Sequence, residues 1–186
     1  EIGKSARFRA TALREGGENA SYSREFAFSK STGRPAVLNT KPNDSYTFEG
    51  ASLLVDGYHS RPVFTSGAWL GYLDEPLDVT IDMGGEQSYR SVELETLAEK
   101  GDWIFPPSSV TVWVSDNGTD FTEVASVTVP EAKAGDADGI GRYRMQFPET
   151  SARYLKVVAQ NAAAIPAWHP GAGSKGFLFV DEIVVE

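Results

Sequence analysis

Apolar and polar residues alternate along most of this chain. Leu77, Val79, Ile81 and Met83 interleave with Asp78, Thr80 and Asp82, and Val110, Val112 and Val114 interleave with Thr111, Trp113 and Ser115. Tyr143, Met145 and Phe147 do the same with Arg142, Arg144 and Gln146. A period of two puts every second side chain on one face of a strand, so each run predicts a half-buried strand. Val92–Leu97, Phe121–Val129, Tyr154–Ala159 and Phe177–Val185 are further β-rich stretches. Asp116-Asn117-Gly118 suits a tight hairpin turn, and Asp82-Met83-Gly84-Gly85 is expected to close the strand before it. Two short stretches, Ala132–Ala134 and Asn161–Ile165, read as helical, and both are too short to shape the fold. Roughly eight short strands, with no helices to cover a parallel sheet, predict an all-β sandwich.

The opening segment reads differently. Phe8, Ala10 and Ala12 share one face and Arg7, Arg9 and Thr11 the other; Glu15-Gly16-Gly17-Glu18-Asn19 turns the chain and Tyr22–Phe28 returns. A lone hairpin is marginal in water, so this one is expected to dock on the sandwich or to be the remainder of a preceding domain. Residues 1–35 therefore form one unit, with Ser29–Pro35 as its linker, and residues 36–186 form the other.

Composition narrows the functional classes. With 17 Lys+Arg against 26 Asp+Glu the net charge is −9, which makes nucleic acid and anionic membranes poor partners. No apolar run reaches the ~20 residues that span a bilayer, and no signal-peptide pattern opens the chain, so an export signal is expected in a longer precursor. The absence of Cys excludes disulfides, thiolate zinc sites and thiol nucleophiles. With His59 and His169 as its only histidines and no G-x-S-x-G elbow, the chain lacks a serine triad's signature. Gly171-Ala172-Gly173-Ser174-Lys175-Gly176 fits a dinucleotide fingerprint, but Pro170 precedes it and a strand follows, so it reads as a flexible loop. Acidic pairs such as Asp74/Glu75 and Glu93/Glu95 read as solvated faces, and the chain is expected to be non-catalytic. The sequons at Asn19, Asn43 and Asn117 are short enough to arise by chance and carry no role.

Two features point to ligands. Glu182 shares the parity of Leu178, Val180 and Val184, an apolar face. It is either a strand end reaching water or a buried carboxylate that needs a partner, such as a hard cation held with the oxygens of the Leu53–Tyr58 loop. The second feature is aromatic side chains set among Pro and Gly: Trp103-Ile104-Phe105 before Pro106-Pro107, and Trp168-His169 before Pro170. These rings either plug the end of the sandwich or face water, where a flat indole suits the C–H face of a sugar.

Leu54-Val55-Asp56-Gly57, Trp69-Leu70-Gly71-Tyr72, LDVTIDMG at 77–84, VTVWVSDNGTDF at 110–121, Ala152–Val157 and FVDEIV at 179–184 together resemble the discoidin, or coagulation factor V/VIII type C, domain. The same fold is known as carbohydrate-binding module family 32. The resemblance covers about residues 36–186; Gly33–Asn39, Trp103–Pro107 and Ala167–Gly176 look like the copies at the C-terminus of bacterial β-hexosaminidase-like exo-glycosidases, and the opening hairpin is similar to the last strands of the small β-sandwich that often precedes the module there. The resemblance implies a jelly-roll sandwich with a structural calcium ion. By position, Asp56 and Glu182 would supply carboxylates, and Leu53, Tyr58 and Asp181 backbone carbonyls. Thr65 or Ser66 would stand near the family's hydroxyl ligand. Family members usually carry Asn where Tyr58 stands, and galactose binders carry His where Leu70 follows Trp69. His59, Arg61, Tyr72, Trp103, Trp168, His169 and Lys175 are the sugar-site candidates. The expected function is binding of terminal glycan sugars within a secreted, periplasmic or surface glycosidase. The alternative is a discoidin domain that packs on the parent enzyme.

Overall fold

In a computed structural model, which describes residues 4–13, 16 and 20–186, nine strands follow one another: β1 (Ala6–Ala12), β2 (Ala20–Phe26), β3 (Ala36–Leu38), β4 (Leu70–Tyr72), β5 (Leu77–Ala98), β6 (Ser109–Ser115), β7 (Thr122–Thr128), β8 (Gly139–Gln160) and β9 (Leu178–Val185). The turn expected at Glu15–Asn19 lies outside the described residues apart from Gly16, as does the asparagine of the Asn19 sequon. β1 and β2 form a two-stranded sheet of their own, whereas β3–β9 build the expected jelly-roll sandwich.

β5 and β8 are each 22 residues long and serve both layers. Residues 77–82 of β5 pair with β3 and with the second half of β8, which continues to β6 and β7. Residues 91–98 pair with the first half of β8 and with β9, which carries β4 at its edge. The strand expected to end at Asp82–Gly85 instead bends there, because the register shifts between Asp82 and Gln87 and again between Tyr89 and Ser91. Such irregularities kink a strand and let it cross from one layer to the other. The expected alternation holds on either side: Leu77, Val79, Ile81, Val110, Val112 and Val157 are fully buried between the layers, each side chain stabilising by about 1.5–3 kcal/mol. The Asp116–Gly118 turn forms as expected, with Asn117 Oδ1 accepting from the N–H groups of Thr119 and Asp120 at 2.9 Å.

Neither predicted helical stretch is helical. Among the described residues the helical turns are short 3-10 turns at Asp44–Tyr46, Gly50–Val55, Phe64–Ser66 and Lys100–Asp102. The first three lie in the long β3–β4 connection. This connection covers the outer face of β9 and β5, where Trp69, Leu97, Ile104 and Phe179 form a second buried cluster.

Alternation fails once where it matters. Leu94 pairs with Ile183 but Thr96 pairs with Val180, so Asp181 and Glu182 together oppose Glu95. This bulge reverses the parity of β9: Leu178 and Val180 enter the core before it, Ile183 and Val185 after it. Both carboxylates consequently point outward, beneath the covering connection. Glu182 is buried, as its expected parity implied, but on the opposite face.

The hairpin is attached at its base. Ala27 N–H donates to Gly57 O at 2.7 Å, Phe26 bridges to Tyr58, and their rings meet edge-on at 5.3 Å. Gly57 sits at φ +79°, and a Cβ there would lie 2.6 Å from the Phe26 ring, so both conformation and contact require glycine. Ser29–Pro35 is bonded to the sandwich: Lys30 N–H donates to Val185 O, and Ser31 Oγ to Ile183 O.

Candidate functional site

The sequence-predicted sugar residues separate into four places. Tyr72 is fully buried in the main core, so it cannot meet a ligand; its short strand is covered on both faces. Lys175 is exposed and its ammonium donates to Asp74 Oδ1 at 2.6 Å, beside a shallow hollow lined by Glu75 and Asn161. His59 and Arg61 lie on the β3–β4 connection, facing the hairpin. Trp103, Trp168 and His169 stay together at the end of the sandwich.

That end is built from the inside outward. His169 is 8% exposed and both ring nitrogens are matched: Nε2 donates to Lys100 O at 2.9 Å, and Nδ1 accepts from Gly171 N–H at 3.0 Å. A carbonyl can only accept and an N–H only donate, so these partners select the Nε2–H tautomer. His169 is therefore a support for the site and no sugar contact, which corrects the expectation. Trp103 and Trp168 flank it edge-on, with centroids at 6.1 and 5.5 Å, and Phe105 packs from below at 5.5 Å. Both indoles remain accessible, Trp103 at 42% and Trp168 at 39%.

Each tryptophan is held in a particular way. Trp103 has φ +64°, a left-handed conformation that costs about 1–2 kcal/mol outside glycine. Its N–H donates to Lys100 O, and its carbonyl accepts from Phe177 N–H at 2.8 Å. A strained backbone under a half-exposed aromatic is characteristic of a functional position. The Trp168 indole N–H donates to Ala132 O at 2.9 Å, tying the β7–β8 loop to the site. Lys100, missed by sequence reasoning, is buried and reinforces this loop through Asp138 and the Asp136 carbonyl. A cation followed by Gly-Asp-Trp carries no sequence signal of burial.

The glycine-rich stretch serves these rings. A Cβ on Gly171 would stand 2.8 Å from Trp103 Cζ2, and one on Gly176 2.8 Å from the Phe105 ring. The loop is expected to be flexible, but it is packed against aromatics and linked back to Ile165 through Ser174 and Gly173. Beside Phe105 and Trp168 runs a trough of about 510 Å³, walled by Pro106, Pro107, Pro130, Ala132 and Ala162–Ala167. Its size falls within the usual range for small-ligand sites, about 300–1,000 Å³.

A second polar concentration lies under the covering connection. Glu182 is fully buried; its Oε2 accepts from Gly57 N–H at 3.1 Å and its Oε1 has no partner. Asp181 accepts from Ser60 N–H at 2.7 Å, and Asp56 from Tyr58 N–H. Burial, with Glu95 and Asp56 nearby, pushes the Asp181 carboxyl up to about 8; burial and Asp56 push Glu182 up to about 9. Glu95, expected on a solvated face, is buried instead and completes the group: its Oε2 takes Arg142 and His59 Nδ1, and its Oε1 is unpartnered. No set of three or more His, Cys, Asp or Glu side chains with metal-site geometry occurs among the described residues. The expected ligand set is of another kind, two carboxylates with carbonyls from Leu53, Tyr58 and Asp181. An orphaned buried carboxylate oxygen fits a hard cation with oxygen ligands.

Comparison with known proteins agrees with this architecture. The F5/8 type C domain model matches residues 38–175, and the chain belongs to that family. No curated protein matches its sequence. Among solved structures, the lectin domain of lectinolysin, complexed with Lewis B antigen, aligns with a TM-score of 0.56 at 17% identity, covering 86% of this chain and 96% of that one. The CpGH89CBM32-5 module of Clostridium perfringens, in complex with GalNAc-β-1,3-galactose, gives 0.54 at 17% identity, covering 81% and 93%. Chitosan-binding module 2 of a Paenibacillus sp. IK-5 chitosanase/glucanase, in complex with chitotriose, gives 0.53 at 18% identity, covering 84% and 98%. At these identities the likeness establishes the fold.

Proposed function

We propose that this chain is a non-catalytic carbohydrate-binding module that takes terminal sugars of glycans on the Trp103–Trp168 end. The observation that carries the reading is a pair of half-exposed indoles, one on a strained backbone, both braced by a buried histidine. Indole faces bind the C–H faces of pyranoses, and the adjoining trough offers room for a second ring or a substituent. Glu99, Asp102, Glu131 and Asp138 lie around this end; of its lysines, Lys100 is buried and paired with Asp138, and Lys133, next to Ala132, is exposed. That charge favours neutral or amino sugars over acidic ones. Family membership and neighbours described with bound saccharides support the same reading.

The finer form of the proposal is an accessory domain of a secreted bacterial exo-glycosidase, tethering the enzyme near its glycans. A calcium ion held by Asp56, Glu182 and the carbonyls of Leu53, Tyr58 and Asp181 would neutralise the buried carboxylates and fix the covering connection. A single-sugar Kd of about 0.1–1 mM is expected, because little surface is buried. Titration of galactose, N-acetylgalactosamine, N-acetylglucosamine, glucosamine and fucose into wild type, Trp103→Ala and Trp168→Ala tests it. At least one ligand is expected to bind and to be lost in both variants. Silence across the panel, or binding unchanged by both substitutions, overturns the proposal.

A further inference from the structure

A second cleft, of about 600 Å³, opens between the hairpin and the β3–β4 connection. One wall carries Ser21, Tyr22 and Ser23 of β2; the other carries His59, Arg61 and Ser66. It shares no lining residue with the trough beside Trp168. β2 also lies outside the residues matched by the family, so this cleft is not a feature of the fold at large. It exists because the hairpin is anchored through Phe26 and Ala27 to Gly57–Tyr58, just before the connection forms the opposite wall.

Its charge is opposite to that of the tryptophan end. Four other guanidinium groups are neutralised: Arg142 on Glu95, Arg144 on Glu186, Arg153 on Asp82 and Arg90 on Glu149. Arg61 has no hydrogen-bond or ion-pair partner for its guanidinium among the described residues. It lies instead over the Tyr22 ring, 5.7 Å from the centroid. A guanidinium stacked on an aromatic keeps its fork of N–H donors in plane and available, the geometry that receives a carboxylate with two parallel bonds. Next to it, Glu95 holds His59 Nδ1 at 2.9 Å, leaving Nε2 as the ring nitrogen without a partner among the described residues. Among the described residues, none that lines the cleft carries a carboxylate. Behind the wall, Glu95 is engaged by Arg142, and Asp181 is buried on Ser60 N–H. The serine hydroxyls around the rim donate and accept, as a polyol requires.

We propose that this cleft is a second ligand site, for a carboxylated pyranose. Arg61 holds the carboxylate, Tyr22 positions Arg61, and His59 Nε2 with the serine hydroxyls meets the sugar hydroxyls. The site is independent of the neutral-sugar reading, and each can fail alone.

The test titrates the full chain with glucuronate and N-acetylneuraminate, using glucose and acetate as the uncharged and sugar-free controls, at 50 and 500 mM NaCl. A response to either acid with a millimolar Kd is expected, at least tenfold weaker in Arg61→Gln and a few-fold weaker in Tyr22→Leu. It should weaken several-fold at the higher salt, because an exposed charge pair is screened. Trp168→Ala should leave it unchanged, and Arg61→Gln should leave any neutral-sugar response at the tryptophan end unchanged. No response to either acid, an equal response to acetate, or an Arg61→Gln variant that binds as wild type overturns the proposal.

Discussion

At the tryptophan end, His169 is buried and both of its nitrogens are matched by backbone groups. Beneath the Gly57–Ser60 turn, Glu182 is buried more completely, and one of its oxygens meets nothing. Both regions place polar side chains under loops, and both loops are shaped by glycines against aromatic rings. The difference lies in what completes them. A neutral imidazole can be satisfied by one donor and one acceptor from the chain, so the tryptophan end closes by itself. Carboxylates gathered at one bulge repel each other and lack enough N–H groups, so the chain alone leaves that region incomplete. A self-contained region is suited to presenting a surface, and an incomplete one to holding an ion.

Four changes would break or sharpen this contrast. The largest effect is expected from His169→Ala, which strands Gly171 N–H and the Lys100 carbonyl and opens a hole between three aromatic rings. A loss of about 3 kcal/mol is expected in denaturant unfolding, since each stranded buried group costs ~1–3 kcal/mol. A loss below 1 kcal/mol would show that the imidazole does not organise this end.

Next in size is calcium. At a free concentration one hundred times Kd, an ion that binds only the folded chain stabilises it by about 2.7 kcal/mol. Chelation should lower the Tm, and Glu182→Gln should abolish the response to added calcium. The chelated chain should also respond to pH in a defined direction. Asp181 and Glu182 are raised to about 8 and 9 from ordinary values near 4, so between those limits the folded state holds more protons than the unfolded. Its stability should be greatest below about pH 4 as far as these two groups are concerned, and should fall as pH rises towards 9. Saturating calcium should flatten that fall. A Tm indifferent to both chelator and pH would refute the incompleteness of this region.

Gly171→Ala comes third. The added methyl meets the Trp103 indole, and overpacking of this kind costs about 1–3 kcal/mol. Trp103 fluorescence should shift as the ring is displaced, with an unshifted spectrum arguing against the contact. The smallest stability change is expected from Trp103→Ala. It removes a half-exposed ring and leaves the left-handed backbone strain in place, since alanine also carries a Cβ, so unfolding should change by less than about 1 kcal/mol. Loss of sugar binding without loss of stability separates a presenting residue from a supporting one.

Much of this was legible in the chain itself. Alternation at 77–83 and 110–115 located buried faces correctly, because a strand's side chains take sides by parity wherever its register is unbroken. Ordered motifs from Leu54 to Val184 were sufficient for the family. Trp103 and Trp168 stood out as large rings among Pro and Gly, and both reach solvent. Parity failed at Glu182, since a bulge is a property of strand pairing and leaves no mark on local composition. Tyr72 and His169 were misplaced for a related reason: a ring beside a turn looks accessible until its neighbours are known. Lys100 carries no mark of burial and Glu95 reads as a solvated face, because the burial of each depends on Asp138 or Arg142, both distant along the chain.

The order of apolar and turn residues, then, determined an acidic all-β domain with aromatic loops and carboxylates near its last strand. Those properties follow from local geometry and from counting. Tertiary structure decided which carboxylates meet, which histidine nitrogens are matched, and that a hairpin outside the family's span forms one wall of a basic cleft. These depend on contacts between residues far apart in the chain, where a one-residue shift in pairing reverses which way a side chain points.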